Sequence, residues 1–188
     1  KLHIFALDFP GYSGFSPHPR PGKPLSFEGQ ERVAQAFLTK VVGQTDFLMG
    51  NSMGGWLGSR LVPKNPNKIG HLILVNPGGI FTTEEELLRI RDLYEIASYL
   101  DFLKLMQRLW HKVPLYFYPF SLLGFYQYTR KPEFTKLIDS IEQTHFINDV
   151  LPSFTIPVSL IWGTEDRLFG QHMAKIIIEK APQAHYYP

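Results

Sequence analysis

Apolar residues fall into two patterns along this chain. Short unbroken runs recur at "LHIFALD" from Leu2, "TDFLMG" from Thr45, "KIGHLILVNP" from Lys68, "IPVSLIWG" from Ile156 and "AHYYP" from Ala184. Runs this short and continuous predict strands covered on both faces. Between them the apolar positions open out to helical spacing. "SFEGQERVAQAFLTKVV" sets Phe27, Val33, Ala34, Phe37, Leu38 and Val41 on one side, with Ser26 placed to cap the first turn. "MGGWLGSRLV" reads as a second helix ended near Pro63, and "GQHMAKIIIEKA" as a late one. "DFPGYSGFSPHPRPGKP", dense in Gly and Pro, reads as a loop.

Strands alternating with helices predict an α/β fold, a mostly parallel sheet with helices on both faces. The rhythm breaks from about Ile80 to Ser153, where helical patterns follow one another without a convincing strand. The expected organisation is a core of residues 1–79 and 154–188 with a helical cap at 80–153. The cap opens on a capping-box spacing from Thr83 to Glu86. Eleven aromatic residues lie between Tyr94 and Tyr128. They either pack the cap helices onto the core or form an apolar lid over a pocket, and the sequence leaves both open.

Composition narrows the function class. With 188 residues the chain can bury a sizeable core, and a net charge of +2 gives no electrostatic ground for a nucleic-acid partner. Zero cysteines remove disulfides and thiolate metal sites, which fits a cytoplasmic protein without excluding other compartments. The longest uncharged run, Val113 to Thr129, is short and broken by Pro119, so no membrane span is predicted. The chain begins without methionine, inside an apolar run, so its true start is expected upstream.

The candidate chemistry sits in "DFLMGNSMGGWLG", residues 46–58. Gly50, Ser52 and Gly54 have the G-x-S-x-G spacing of a nucleophile elbow, and the motif stands where a strand passes into a helix. A sharp turn there strains the serine backbone, needs small neighbours at Gly50 and Gly54, and lifts the hydroxyl above the sheet's carboxyl edge. The backbone N–H of Met53 would then serve an oxyanion hole. The alternatives are a glycine-rich packing turn or a phosphate-binding helix start.

Taken together, these stretches resemble the α/β-hydrolase family over almost the whole chain. "LHIFALDFPGYSGFS" is similar to its strand and D-x-P-G-[FY] loop, "GNSMGG" to its elbow, "NKIGHLILVNPGG" to the strand after the nucleophile helix, and "IPVSLIWGTEDRLF" to the strand that delivers the catalytic acid. The resemblance places the acid on Asp166, at the carboxyl end of "VSLIWG", where a carboxylate can orient a histidine. Glu165 should point elsewhere. The alternative for Asp166 is a cap on the following turn, and Gly170 stands where the family often has proline.

The family's chain order is serine, acid, histidine. His172 follows the acid too closely and should face away, and His185 falls before or within the last strand. His3, His18, His71, His111 and His145 all precede the acid. The base is therefore expected beyond Pro188, and the second oxyanion donor upstream of Lys1, so these 188 residues alone are expected to be inactive.

A serine at the elbow sets the chain apart from branches with an aspartate nucleophile and implies acyl transfer to water. "GNSMGG", "IGHLILVNPGG", "WGTEDR" and "DFPGYS", with Ser13 where many relatives have glycine, resemble the C–C bond hydrolases of aromatic degradation and related esterases. The resemblance implies a serine hydrolase acting on an ester or C–C bond of an apolar or aromatic carbonyl substrate, with no metal or organic cofactor. A non-catalytic binding protein of the same fold, or an acyltransferase or perhydrolase using the same triad, are the alternatives.

Overall fold

The computed structural model describes residues 2–10, 16, 26–129 and 133–188. Most of the Gly/Pro-rich loop, with Ser13 and His18, lies outside them. Helix α1 (Phe27–Phe37) starts where Ser26 Oγ accepts a hydrogen bond from Gly29 N–H at 3.1 Å. It runs on as a π-helical turn, Leu38–Val42. Then follow β1 (Thr45–Asn51), α2 (Met53–Leu61) and β2 (Ile69–Val75). The insert carries α3 (Glu84–Asp92), α4 (Tyr99–Leu109), α5 (Tyr118–Thr129) and α6 (Glu133–Asp139). The core resumes with β3 (Val158–Ile161), α7 (Gln171–Lys180) and β4 (Ala184–Tyr187).

Among the described residues the sheet has four strands, all parallel, in the order β1-β2-β3-β4. Leu72, Leu74, Val158, Leu160 and Trp162 are buried at its centre, with Leu57 of α2 and Met173 and Ile177 of α7 packed among them. The first expected strand is not part of this sheet. Leu2–Asp8 pairs with none of the four strands, and Leu2, Ile4 and Phe5 are exposed. An apolar run signals a need for cover but does not name the neighbour that supplies it, and a strand exists only where a neighbour's edge is in register. On β1, Phe47 and Met49 are exposed as well.

The buried stripe of α1 also departs from the helical reading. Phe27, Ala34 and Leu38 are buried as expected, but Val41 is exposed and Gln30 and Glu31 are buried instead. The π turn widens the helix after Phe37 and rotates Val41 away from the core. Glu31 is tolerated inside because Arg60 Nε donates to its Oε2 at 3.0 Å and Lys64 Nζ donates to its Oε1. Burial raises its pKa, but the Lys64 and Arg60 hydrogen bonds and charges outweigh that, and the net shift is downward. A folded-state pKa below the unfolded one means the pairing stabilises fully above the ordinary carboxylate range and is lost as pH falls through the folded value. Glu31→Gln is expected to cost about 2 kcal/mol at pH 7. Urea midpoints measured from pH 7 to pH 3 should show the gap between variant and wild type closing in the acid range.

Among the described residues every regular element of the insert is helical, but its first long helical pattern splits in two. Thr83 Oγ1 accepts from Glu86 N–H at 3.1 Å, half of the expected capping box. The Glu86 carboxylate does not return the bond, because Thr82, Arg89 and His172 hold it instead. A full capping box forms at Ser98 and Asp101, restarting the helix as α4. The insert's return leg is clamped to the core. Trp56 Nε1 donates to the His145 carbonyl at 2.7 Å and Ile147 N–H to the Gly79 carbonyl at 2.9 Å, while Asn148 ties the return leg to the insert's own start through both backbone polar groups of Phe81 at 2.8 Å. Among the described residues no helix is long and apolar enough to cross a membrane.

Candidate active site

Three strand ends lie level. Asn51 of β1 is in register with Val75 of β2, and Val75 with Ile161 of β3. The ladder runs one residue further: Ser52 N–H donates to Val75 O at 3.0 Å and Asn76 N–H to Ile161 O at 2.9 Å. Ser52, Asn76 and the turn after β3 therefore meet on the carboxyl edge of the sheet, where parallel α/β folds bind ligands.

Ser52 sits on a strained bend, with φ 50° and ψ −119°. A side-chain-bearing residue held there costs on the order of 1–3 kcal/mol and persists only where its surroundings enforce it. Here they do: the Ser52 carbonyl accepts from Trp56 N–H at 3.1 Å and from Gly78 N–H at 3.0 Å, tying the bend to α2 and to the loop after β2. The hydroxyl has no hydrogen-bond partner among the described residues. Met53, next in the chain, opens α2, and N–H groups of a first helical turn have no acceptor within their helix.

The steric demand for glycine falls at positions 50 and 55. A Cβ at Gly50 would collide with the Gly54 carbonyl and lie 2.5 Å from Gly55 N, and one at Gly55 would lie 2.9 Å from Gly50 O. A Cβ at Gly54 would meet nothing within 4 Å, so crowding at the bend does not require glycine there. Gly50→Ala is expected to destabilise by about 3 kcal/mol or more, a fall in melting temperature of roughly 10 °C. Gly54→Ala should leave melting unchanged within about 2 °C. Calorimetry on the pair checks the contrast.

Ser52 opens into a cavity of about 390 Å³ between the elbow and the insert. Leu87 and Ile90 on α3, Tyr94 in the turn after it, Ile141 after α6, and Trp56 and Phe169 from the core line much of its wall. Of the eleven insert aromatics only Tyr94 lines it. Phe102 contacts Phe117 and Phe125, while Tyr116, Phe120 and Tyr126 face outward. These aromatics thus serve mainly to pack the insert helices. Burial pushes the Tyr94 phenol up to about 12, with the Tyr128 and Asp166 charges adding to it. Tyr94 stays a neutral O–H group at any working pH.

Asp166 is half-buried just past β3. Its Oδ1 accepts from Leu168 N–H at 2.8 Å and Phe169 N–H at 2.9 Å, so it caps the following turn. Its Oδ2 accepts from Asn76 Nδ2, whose Oδ1 in turn accepts from Gly163 N–H at 3.2 Å. Asn76 thus locks the turn carrying Asp166 to the end of β2. The sequence did not single it out. Its one signal is that asparagine tolerates the left-handed backbone (φ 41°) this bend requires.

No described histidine bonds to Ser52 or Asp166. His172 pairs with Glu86 at 2.8 Å, on the exposed side of α7. His185 is exposed on β4, in register with Ser159. His145 donates through Nε2 to Glu28 at 2.9 Å, its Nδ1 accepting from Glu142 N–H. His71 contacts Ser159 Oγ at 3.0 Å, His111 lies 3.7 Å from Glu165, and His3 is exposed. Among the described residues, no group of three or more His, Cys, Asp or Glu side chains could hold a metal ion.

A serine on a strained strand-to-helix bend, on the carboxyl edge of a parallel sheet beneath a helical insert, defines the class as an α/β protein with a sharp strand-to-helix turn at that edge. A family model described as "Alpha/beta hydrolase family" matches residues 1–186, and the chain belongs to that family. It is 25% identical over 202 aligned positions to a 2-hydroxy-6-oxononadienedioate/2-hydroxy-6-oxononatrienedioate hydrolase of Pseudomonas sp., covering 98% of this chain and 68% of that one. It is 25% identical over 200 positions to Lipase 3 of Moraxella sp. (strain TA144), covering 98% of this chain and 62% of the lipase. Among solved structures it superposes on a membrane phospholipase A with a TM-score of 0.77 at 20% identity, covering 95% of this chain and 59% of that chain. The chain thus spans about two thirds of the length of these two sequence relatives.

Proposed function

We propose that the protein is a serine hydrolase that cleaves an ester or C–C bond of an apolar carbonyl substrate. The observation that carries this reading is the strained Ser52, its hydroxyl unengaged among the described residues and open to a largely carbon-lined cavity at the start of α2. Ser52 Oγ attacks the substrate carbonyl as a histidine from outside these 188 residues takes its proton. The Met53 N–H stabilises the resulting oxyanion together with a second donor from outside the chain. Collapse of the tetrahedral intermediate expels the leaving group, which takes the proton from the histidine. Water then attacks the acyl-enzyme, and Ser52 recovers its proton. Asp166 stays ionised and steadies the imidazolium. The family membership supports the reaction class. A relative named as a dienedioate hydrolase and another named as a lipase support a carbonyl substrate in which either a C–C or an ester bond breaks.

The test is a fluorophosphonate probe on the full-length enzyme, with peptide mapping. A single adduct on the peptide containing Ser52 is expected. Labelling elsewhere, with Ser52 unmodified while ester hydrolysis is blocked, would overturn the assignment.

A further inference from the structure

Helix α5 breaks the usual division of a surface helix into an apolar side and a charged side. It packs on α4 through Ser121, Gly124, Phe125 and Tyr128, spaced as one helical face. Phe102 of α4 contacts the Phe125 and Tyr128 rings, and a Cβ at Gly124 would lie 3.1 Å from the Phe102 ring. Ser121, the buried residue of the helix, bonds to the Tyr99 hydroxyl. The opposite face holds Phe120, Leu122, Leu123 and Tyr126, all at least half exposed, and no charged residue. The segment leading into α5 continues the pattern: Leu115 and Tyr116 are 86% and 75% exposed, and Trp110 is exposed as well. No described residue covers this surface. Large exposed apolar patches mark sites where a protein meets another protein or a membrane.

We propose that this face docks on an anionic lipid bilayer, with α5 lying in the membrane plane at the level of the headgroups. Charge selects the partner. From Phe102 to Pro132 the sequence has no Asp or Glu and five cations, Lys104, Arg108, Lys112, Arg130 and Lys131, so the apolar run has a basic flank on either side. The carboxylates that reach this stretch, Asp101 and Glu165, stand beside Lys104 and His111 and leave Lys112 uncompensated. In a two-fold dimer through this face the basic flanks of both copies would meet, like against like. An anionic bilayer meets each flank with opposite charge. Trp110 and the exposed tyrosines join an apolar ring to a polar tip, as residues that settle at a membrane interface do. At twelve residues α5 is about 18 Å long, against a hydrocarbon core of about 30 Å, so it lies along the interface and does not cross it. Docking concerns where the protein sits, not what Ser52 does, and stands or falls apart from the hydrolase reading.

The test is a flotation assay on the full-length protein with vesicles of phosphatidylcholine, alone or mixed equally with phosphatidylglycerol. The protein should float with the mixed vesicles, bind the neutral ones at least about tenfold more weakly, and be released from the mixed ones by raised salt. Phe120→Asp combined with Leu123→Asp should weaken binding to the mixed vesicles by about 30-fold or more. Lys112→Gln should weaken it by about fivefold and leave binding to neutral vesicles unchanged. Phe120 and Leu123 are exposed, so the paired substitution should shift melting by no more than about 2 °C. No binding to mixed vesicles, binding blind to lipid charge, or binding unchanged by the paired substitution would overturn the proposal. So would a dimer in sedimentation equilibrium that the paired substitution dissociates, which would make this face an interface between copies. A fall in melting temperature of more than about 5 °C would also overturn it, by showing that chain outside these 188 residues covers the face.

Discussion

Ser52→Ala in the full-length enzyme is expected to lower kcat by about 10⁶-fold while leaving the fold intact. The two halves of this expectation come from different atoms. The backbone of residue 52 carries the structural work: its N–H is bonded to Val75 O, and its carbonyl to Trp56 N–H and Gly78 N–H. Alanine keeps all three and is strained at φ 50° as serine is. The hydroxyl has no partner among the described residues, so its removal leaves no described donor or acceptor orphaned. Melting temperature should change by no more than about 2 °C. A residual rate of about 10³–10⁴ over the uncatalysed reaction should survive, from binding and the oxyanion donors. A serine that merely shaped a packing turn would give the opposite result, with kcat unchanged by the substitution. Single-turnover kinetics with a chromogenic ester and calorimetry on the same preparation read both halves at once.

The strand-to-helix bend at Ser52 was legible because glycine marks it. Strand, small residue and helix follow one another within a dozen positions, and few backbones join them other than by a sharp turn. The position of Asp166 at the sheet's carboxyl edge, though not its role, was legible from its place just past a continuous apolar run. What the sequence hid was set by neighbours distant in the chain. Arg91 looks like an ordinary polar residue of an amphipathic helix, and only the packing of α3 against the Ile141 turn seals its Nε–H. Asn76 reads as the last residue of a strand until β3 brings Asp166 beside it. The π turn after α1 and the place of Leu2–Asp8 outside the four-stranded sheet escaped the sequence for the same reason: periodicity reports which residues want cover, not which element covers them. Composition left the role of the insert aromatics open, because rings that pack helices together and rings that line a pocket are the same residues in a sequence.

Asp166→Asn separates the two roles that the structure leaves on one carboxylate. As the triad acid, Asp166 would hold the base in its productive tautomer, and its replacement should lower kcat by about 10⁴-fold. As a turn cap, it contributes stability through atoms that asparagine reproduces only in part. Asparagine keeps an oxygen for the Leu168 and Phe169 N–H groups, but it presents an NH₂ to the NH₂ of Asn76. Asn76 cannot flip to relieve this without giving up the Gly163 N–H held by its oxygen. A loss of about 1–2 kcal/mol follows, roughly 5 °C in melting temperature. Asn76→Ala removes the same contact from the other side and leaves the carboxylate in place. Asn76→Ala also gives up the Gly163 N–H bond and puts alanine at φ 41°, so it should melt at or below Asp166→Asn. Assayed well below both midpoints, Asp166→Asn should be slower than Asn76→Ala by at least about 10²-fold, because only the first removes the charge that stabilises an imidazolium. Equal kcat values in the two variants would reduce Asp166 to a turn cap and require the acid to be sought on another element of the carboxyl edge.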